Sequence, residues 1–381
     1  MRVDYFLSKL KLFWRIFIAP PKNWILPKKS EVLIYDASGA DALAPYLTAY
    51  NVAIMSVRGE SVNVPCILRA LFKQAFWKGK PLAAYAEAFI QAVSPQLVIT
   101  FIDNNPAFYS ISRRFQVVTI FLQNGNRLGS NGLFSQLKKM DSCHVDYMLV
   151  FGAAIGRKYQ EYISGSVQSV GSLKNNAVKK TAGKMSQSVL FISQYRSENH
   201  AQFYSADVII LKFLSKWCME NKMKLQICGV SLEEVSPESE FYAGILAGSE
   251  WEYLPRADHY SSYRSVDAAQ IVVFIESTLG CESIARGKKT ACFSCRGEAL
   301  NRIGRNFGWP ADLPNNGPFW TNHQDERQFQ RVMDYLNIVS DEEWEQTRQR
   351  YASELMEFDP GNTRFIALLD QLLPRTENRL K

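Results

Sequence analysis

The chain has 381 residues, of which 47% are hydrophobic and 21% charged, and its formal net charge is +7. This composition excludes a disordered chain, and the length fits two α/β domains rather than a single core. The positive excess favours anionic partners, such as an acidic glycan or an anionic membrane. It is too small and too dispersed to indicate nucleic-acid binding.

The N-terminal segment 1–29 is basic and amphipathic. Residues 5–19 are apolar and aromatic, but three cations interrupt them, namely Lys9, Lys11 and Arg15. A spanning helix needs about 20 apolar residues, and no small-residue cleavage site marks a signal peptide. We therefore expect a helix that either makes peripheral contact with a membrane or packs on the protein body.

Seven cysteines, an odd number that lies mostly in apolar segments, predict reduced and buried thiols in a cytoplasmic protein. Cys292 and Cys295 form a CxxC, but no second pair completes a zinc site. The four histidines lack metal-ligand spacing, so we expect no metal: His144, His200, His259 and His323.

The first half alternates short apolar runs with helical stretches, which predicts a parallel sheet whose strands are buried on both faces. A helical stretch is predicted at 67–92. The predicted strands lie at 32–35, 52–57, 96–103, 116–122 and 147–151. We assign residues 30–180 to an N-terminal domain.

A polar linker is predicted at 174–187, and the alternation then restarts. We assign residues 188–340 to a C-terminal domain and 341–381 to terminal helices. The predicted strands of this half lie at 189–192, 224–228, 251–254, 271–275 and 290–293. Open parallel sheets bind ligands beyond the carboxyl ends of their strands, so the candidate residues are sought there.

The most informative segment is 267–294, in which a buried strand leads into a helix. Ser277 and Thr278 are natural helix caps, and the free N–H groups behind them suit a phosphate. Gly280 would let the backbone approach a ligand, and Glu282 could accept hydrogen bonds from ribose hydroxyls. The alternative is a well-capped structural helix without a ligand.

This segment, ESTLGCESIARGKK at 276–289, resembles the donor site of GT-B glycosyltransferases. An ordered set of segments also resembles the bacterial surface carbohydrate biosynthesis proteins. Besides 276–289, the set is VLIYD at 32–36, TFIDNN at 100–105, QNG at 123–125, VLFISQY at 189–195 and FGWP to GPFWTN at 307–322. A more distant resemblance is to bacterial transferases of CMP-activated 2-keto sugars, the nonulosonates and Kdo.

The resemblance implies two Rossmann-like domains, an inter-domain cleft and C-terminal helices that cross back. It also implies a nucleotide-sugar donor, with a CMP-sugar favoured and a UDP-sugar as the alternative, and no metal requirement. The CMP transferases carry a His-Pro pair where this chain has Leu254-Pro255, so UDP and GDP donors stay open. The implied donor-binding residues are Ser277, Thr278, Gly280, Glu282, Glu276 and Gln194.

Glycosyl transfer requires a group that accepts the proton of the acceptor hydroxyl. Asp103, which ends the strongest strand, is the first candidate base, or the nucleophile of a retaining enzyme. Asp36 is the second candidate, and both could instead cap loops. Acceptor or sugar hydroxyls could be bound by Gln123, Asn124, Gly125 and Asn104, although Asn-Gly also favours a simple turn.

Cations near the predicted strand ends could stabilise the leaving phosphate. They could equally be solvated surface charges. The candidates are Arg256, Arg264, Arg296 and Lys174, with Arg302 and Arg305 as candidate contacts of the donor sugar.

The sequence thus predicts a glycosyltransferase that builds a bacterial surface polysaccharide (O-antigen or capsule) on a glycan or lipid-linked acceptor, at the inner face of the cytoplasmic membrane. Two alternatives stay open. One is a nucleotide-sugar 2-epimerase of similar shape, and the other is a non-catalytic polysaccharide-assembly protein.

Overall fold

The computed structural model describes residues 21–129, 132–181, 185–197, 201–301 and 304–374. Within these ranges the chain forms two successive α/β halves, each built around a mainly parallel sheet. The predicted N-terminal helix at 5–19 lies outside the described residues. No helix of the described part is long and apolar enough to cross a membrane.

The first half carries a six-stranded parallel sheet with the order β3-β2-β5-β6-β7-β8, while β1 and β4 pair separately. Its central strands are continuous apolar runs, because helices cover both faces. The strands are β1 (Lys22–Asn23), β2 (Val32–Tyr35), β3 (Val52–Met55), β4 (Val62–Asn63), β5 (Leu97–Thr100), β6 (Val118–Leu122), β7 (Cys143–Val150) and β8 (Ile163–Ser169).

The second half carries a seven-stranded sheet with the order β11-β10-β9-β12-β13-β15-β14, in which only the β14–β15 pair is antiparallel among the described strands. Its strands are β9 (Ser186–Ile192), β10 (Lys224–Cys228), β11 (Trp251–Leu254), β12 (Ala269–Phe274), β13 (Lys289–Phe293), β14 (Asn316–Gly317) and β15 (Trp320–Thr321).

The helices of the first half connect its strands. They are α1 (Ala40–Leu43), α2 (Val64–Ala70), α3 (Gln74–Trp77), α4 (Pro81–Val93), α5 (Ile111–Phe115), α6 (Gly132–Leu137), α7 (Ala153–Gln160) and α8 (Leu173–Ala177). The single helical stretch predicted at 67–92 was therefore wrong. It is divided into α2, α3 and α4, because Gly79 has a positive φ and Pro81 starts a new helix.

The second half and the C-terminus hold the remaining helices. They are α9 (Ser205–Glu220), α10 (Pro237–Ile245), α11 (Ser261–Ala268), α12 (Thr278–Ala285), α13 (Arg296–Ala299), α14 (Glu326–Ile338), α15 (Asp341–Leu355) and α16 (Thr363–Leu372). Short 3₁₀ turns lie at Ala44–Tyr46, Pro106–Ser110 and Ala201–Tyr204.

The C-terminal helices return to the first half, as predicted. Helix α15 contacts both α7 and α12, and so it touches both halves. Phe365 and Leu369 of α16 are buried against Val32 and Leu97 of the first sheet. This crossing ties the two halves together and leaves a cleft between the carboxyl edges of the two sheets.

Candidate functional site

A narrow cavity lies between the two halves. Gln123 and Phe151 follow β6 and β7 of the first sheet, while Glu276 and Ser294 follow β12 and β13 of the second. The carboxyl edges of both sheets therefore face this cavity, which is where ligands bind in open parallel sheets. Its wall also includes Asn126, Arg127, Cys281, Arg305, Phe307, Trp309 and Glu354.

The start of α12 faces the first half across this cleft. The backbone N–H of Asn126 donates to Thr278 Oγ1 at 2.9 Å. A second contact between the halves joins the Gly129 N–H to the Gly304 carbonyl at 2.7 Å. The loop after β6 therefore bridges to the second half on two sides of the cavity.

Ser277 is the cap of α12, as predicted, and its Oγ accepts a hydrogen bond from the Leu279 N–H. Both Ser277 and Thr278 are partly exposed, although neither is part of the cavity wall. An anion bound here would meet the positive end of the helix dipole.

Arg305 is the cation of the second half in the cavity wall. Its Nη1 donates to both carboxylate oxygens of Glu276, at 2.7 and 2.6 Å. Its Nε has no hydrogen-bond partner, and no described residue bonds its Nη2. The side chain is nine-tenths buried, yet no described residue pairs with the Nε–Nη2 edge, which can bind phosphates in a bidentate manner.

A buried network holds Glu276 and Arg305 in place. Gln194 accepts hydrogen bonds from the Glu276 N–H at 3.2 Å and from Arg296 at 2.6 Å. Arg296 is itself fully buried and bonded to Asp207 at 2.8 Å. Arg296 is thus not a solvated charge, and Gln194 and Glu276 position Arg305 through this network.

Arg127 is the cation of the first half in the cavity wall. Its Nε donates to Asp103 at 2.7 Å and its Nη2 to both Asp103 and Asn124. Burial lowers the pKa of the Arg127 guanidinium, but the Asp103 charge and hydrogen bonds raise it overall above its ordinary value. Arg127 is therefore a fixed positive charge beside the cavity.

The predicted base Asp103 is fully buried, and its carboxylate also accepts hydrogen bonds from the Tyr159 hydroxyl and the Asn124 N–H. The carboxylate therefore holds Arg127, the loop after β6 and Tyr159 of α7. This geometry favours a positioning role for Asp103. Its role as base or nucleophile stays a prediction.

Asp36 is likewise fully buried. It has a positive φ of 84°, accepts from the Ser38 N–H and pairs with Arg58 at 2.9 Å. These contacts match the alternative in which Asp36 caps its loop instead of acting as a base. Asn104 is exposed and is not part of the cavity wall.

The three residues after β6 shape the loop. Gln123 accepts from the Phe151 N–H and donates to the Gly125 carbonyl, so its amide is occupied by the backbone. A side chain at Gly125 would lie 3.7 Å from Thr278 Oγ1, which places this glycine at the contact between the halves. Their predicted contact with acceptor hydroxyls stays untested.

Gly280 and Glu282 both make structural contacts, and their predicted roles in donor binding stay predictions. A Cβ at Gly280 would lie 2.0 Å from the Phe274 ring, so this glycine permits close packing of α12 on β12. Glu282 lies where the chain passes from the first half to the second. Its carboxylate accepts hydrogen bonds from Ser172 at 2.5 Å and from Tyr263 at 3.1 Å. Both positions are buried, and neither is part of the cavity wall.

The segment that joins the halves, predicted as a polar linker at 174–187, is exposed at Lys174, Lys179, Lys180 and Thr181 but not throughout. Asn175 and Asn176 are buried. Arg286 donates to Asn175 and to the Val178 carbonyl while it pairs with Asp267 at 2.5 Å. Asn175 and Arg286 therefore form a buried, hydrogen-bonded contact between the halves within a mostly exposed linker.

Replacing Glu282 by glutamine is expected to remove a pH-dependent loss of stability. Burial raises the pKa of Glu282, while Ser172 and Tyr263 oppose this by hydrogen bonding to it. A raised native pKa means that stability falls as pH rises above about 4.3, the ordinary glutamate value, and levels off beyond the native pKa. Urea unfolding from pH 4 to 8 should therefore show wild type losing stability relative to Glu282→Gln. A constant difference would contradict this.

The other predicted cations lie apart from the cavity. Arg264 pairs with Asp258 on the surface, and Arg256 and Lys174 are also exposed or half-buried. Arg302 lies outside the described residues. Cys281 borders the cavity, but burial raises the pKa of its thiol to about 12, so it is not a nucleophile at neutral pH. Among described residues, no group of His, Cys, Asp or Glu is arranged to hold a metal.

Sequence reasoning missed Arg127. The available signal was a lone arginine just after the turn at 123–125, opposite an aspartate that ends the neighbouring strand. Adjacent parallel strands bring such residues together at one sheet edge.

A protein-family model described as "putative O-antigen biosynthesis protein" matches residues 120–373, which is more than half of the chain. The chain belongs to this O-antigen biosynthesis family. The matched part runs from β6 to the end of α16, and so it includes both walls of the cavity. No curated protein matches the chain by sequence.

Several solved structures resemble this family member in fold. A glycosyltransferase from Rickettsia africae aligns with a TM-score of 0.53 and 11% identity, over 92% of this chain and 100% of that one. A UDP-N-acetylglucosamine 2-epimerase gives 0.52 and 12%, over 92% and 98%. MnaA of S. aureus in complex with UDP gives 0.53 and 11%, over 91% and 97%.

At such identities the similarity is one of fold. It confirms the predicted GT-B architecture, with two Rossmann-like halves and a cleft between them. The family match places this fold in surface polysaccharide biosynthesis.

Proposed function

We propose that the protein is a glycosyltransferase that moves a sugar from a nucleotide donor to a surface-polysaccharide acceptor. The observation that carries this proposal is Arg305, whose Nε–Nη2 edge has no described partner, in the wall of the cavity between the halves. A buried guanidinium with a free bidentate edge suits a phosphate oxygen pair. The R. africae glycosyltransferase and the UDP complex of MnaA, which share the fold, support a nucleotide-sugar partner.

The donor would lie with its phosphate between Arg305 and the start of α12. When the anomeric carbon–oxygen bond breaks, the phosphate oxygen gains negative charge while the acceptor oxygen bonds to the anomeric carbon. Arg305, Arg127 and the α12 dipole would stabilise that charge within a largely buried site. These fixed charges are available without a cofactor.

The acceptor would enter from the side of the first half. Its hydroxyl must lose a proton, and Glu276 and Glu354 are the carboxylates among the described wall residues. Glu276 is bound to Arg305 and Glu354 to Arg157. Asp103 and Asp36 remain the predicted proton acceptors, and a base role for either requires its buried ion pair to open.

The donor class follows the resemblance to transferases of CMP-activated 2-keto sugars. Leu254-Pro255, which replaces their His-Pro pair, ends the edge strand β11 and is not part of the cavity wall. A CMP-sugar is thus proposed on the resemblance alone, and a UDP-sugar is the alternative to test.

Nucleotide binding should raise the unfolding temperature. A ligand at 100 times its Kd stabilises a protein by about 2.7 kcal/mol. We expect CMP to raise the unfolding temperature more than UDP or GDP does, measured by thermal shift at equal concentrations. No shift with any nucleotide would favour a non-catalytic assembly protein.

Turnover separates the two enzyme classes. A transferase consumes the nucleotide sugar only when a glycan or lipid-linked glycan acceptor is present. A 2-epimerase converts the sugar without an acceptor, so product formed from donor alone would contradict the proposal.

A further inference from the structure

The helices that precede β5 present an exposed apolar surface. Leu68 lies in α2, and Phe72 lies in the turn that follows it, where its N–H donates to the Arg69 carbonyl at 3.2 Å. Phe72 is 89% exposed and Leu68 56%. Leu82, also exposed, starts α4, on which both α2 and α3 pack.

Two further apolar side chains adjoin this face. Strand β1 pairs in parallel with β4, which leads directly into α2. Asn63, the cap of α2, donates to the Ile25 carbonyl at 2.7 Å. Trp24 and Ile25 are therefore held beside α2, and they are 70% and 74% exposed. We call Trp24, Ile25, Leu68, Phe72 and Leu82 the α2–α4 surface.

The charge around the α2–α4 surface is mainly positive, although Glu60 and Glu87 flank it in the sequence. No Asp or Glu occurs from Ser61 to Ala86, whereas this stretch contains Arg69, Lys73, Lys78 and Lys80. All of these cations but Lys73, which pairs with Glu87, are exposed. An apolar cluster surrounded by cations complements an anionic lipid surface, in which apolar side chains enter the interface and cations meet the headgroups.

The second half offers a contrast. Leu232 and Val235 are 74% and 76% exposed, close to the 70% and 74% exposure of Trp24 and Ile25. They flank Glu233 and Glu234, and an anionic lipid surface would repel these carboxylates.

We propose that the α2–α4 surface docks the protein on an anionic lipid bilayer. This docking is independent of the transfer reaction and of the N-terminal segment 5–19. Helix α4 ends at Val93, just before the amino end of β5, so it starts at the carboxyl edge of the sheet. The α2–α4 surface therefore lies at the same edge of the first sheet as the cavity, where a lipid-linked acceptor would arrive.

Vesicle flotation of the full chain tests the docking. We expect binding to vesicles of phosphatidylcholine with 30% phosphatidylglycerol and not to phosphatidylcholine alone. The double variant Leu68→Ser/Phe72→Ser should lose at least fivefold in bound fraction, with an unchanged unfolding temperature because both residues are exposed. The matched control Leu232→Ser/Val235→Ser should bind like wild type. Equal losses in both variants, or none, would overturn the proposal.

A fluorescent label distinguishes a bilayer from other partners that could cover the α2–α4 surface. Phe72→Cys, labelled with an environment-sensitive dye, should shift to the blue when phosphatidylglycerol vesicles are added, and the same label at Leu232→Cys should not. The seven native cysteines are buried or half-buried. An emission already blue-shifted without vesicles, and unchanged by them, would mean that residues 1–20 or a second copy cover the surface, and the proposal would be wrong.

Discussion

Replacing Arg305 by glutamine is expected to slow sugar transfer about 100- to 1,000-fold, the usual effect of removing one donor to a developing oxyanion. The side chain lines the cavity, and no described residue satisfies its Nε–Nη2 edge. Glutamine keeps polarity but loses both the charge and the bidentate edge. The measurement is the rate of nucleotide release from the donor in the presence of acceptor, together with the Kd of the nucleotide.

The loss must be separated from a folding defect. Arg305→Gln leaves Glu276 buried without its main partner, which by itself destabilises the protein. The double variant Glu276→Gln/Arg305→Gln removes both charges and should recover stability without recovering activity. Arg264→Gln, at an exposed arginine paired with Asp258, is the matched control and should act like wild type. Normal turnover by the double variant would contradict the role of Arg305.

Replacing Asp103 by alanine is expected to lower the free energy of unfolding by about 3–5 kcal/mol, the usual cost of leaving one member of a buried ion pair alone. Arg127 would lose the partner of its Nε and Nη2, and the Tyr159 hydroxyl and Asn124 N–H would lose an acceptor. Urea denaturation measures this loss. Asp258→Ala, at an exposed pair, should cause no measurable change.

A double-mutant cycle decides between the two roles of Asp103. Asp103→Asn/Arg127→Gln leaves no lone charge, so it should be more stable than the sum of the single variants predicts. If Asp103 positions Arg127, activity should fall in step with the single Arg127→Gln variant. An Asp103→Asn variant of full stability with activity lost about 1,000-fold or more would instead identify the predicted base.

The buried strands could be predicted because parallel strands covered on both faces are continuous apolar runs. Strand β2 at Val32–Tyr35 and strand β5 at Leu97–Thr100 are of this kind. Strand β8, with the polar sequence ISGSVQS, was missed because it is the edge strand and carries no such run. The Ser277 cap could also be predicted, because its hydrogen bond involves only Leu279, two residues further along the chain.

The site was harder to predict because its geometry depends on distant contacts. Glu282 and Thr278 lie one helical turn apart, yet one is buried at the joint with Ser172 and the other faces Asn126. Residues four apart lie on one helix face, so the motif gave the residue types and their face but not the neighbours that pack against each. The environment of Asp103 depends on Arg127, 24 residues away, and burial against it could not be inferred from a strand end alone.

The measurement that tests the central claim most directly is a crystal structure of the full chain with CMP, and a second with UDP. We expect the nucleotide in the cavity between the halves, with a phosphate oxygen within hydrogen-bond distance of Arg305 Nε or Nη2 and close to the start of α12. A nucleotide bound elsewhere, with Arg305 still engaged only by Glu276, would contradict the account.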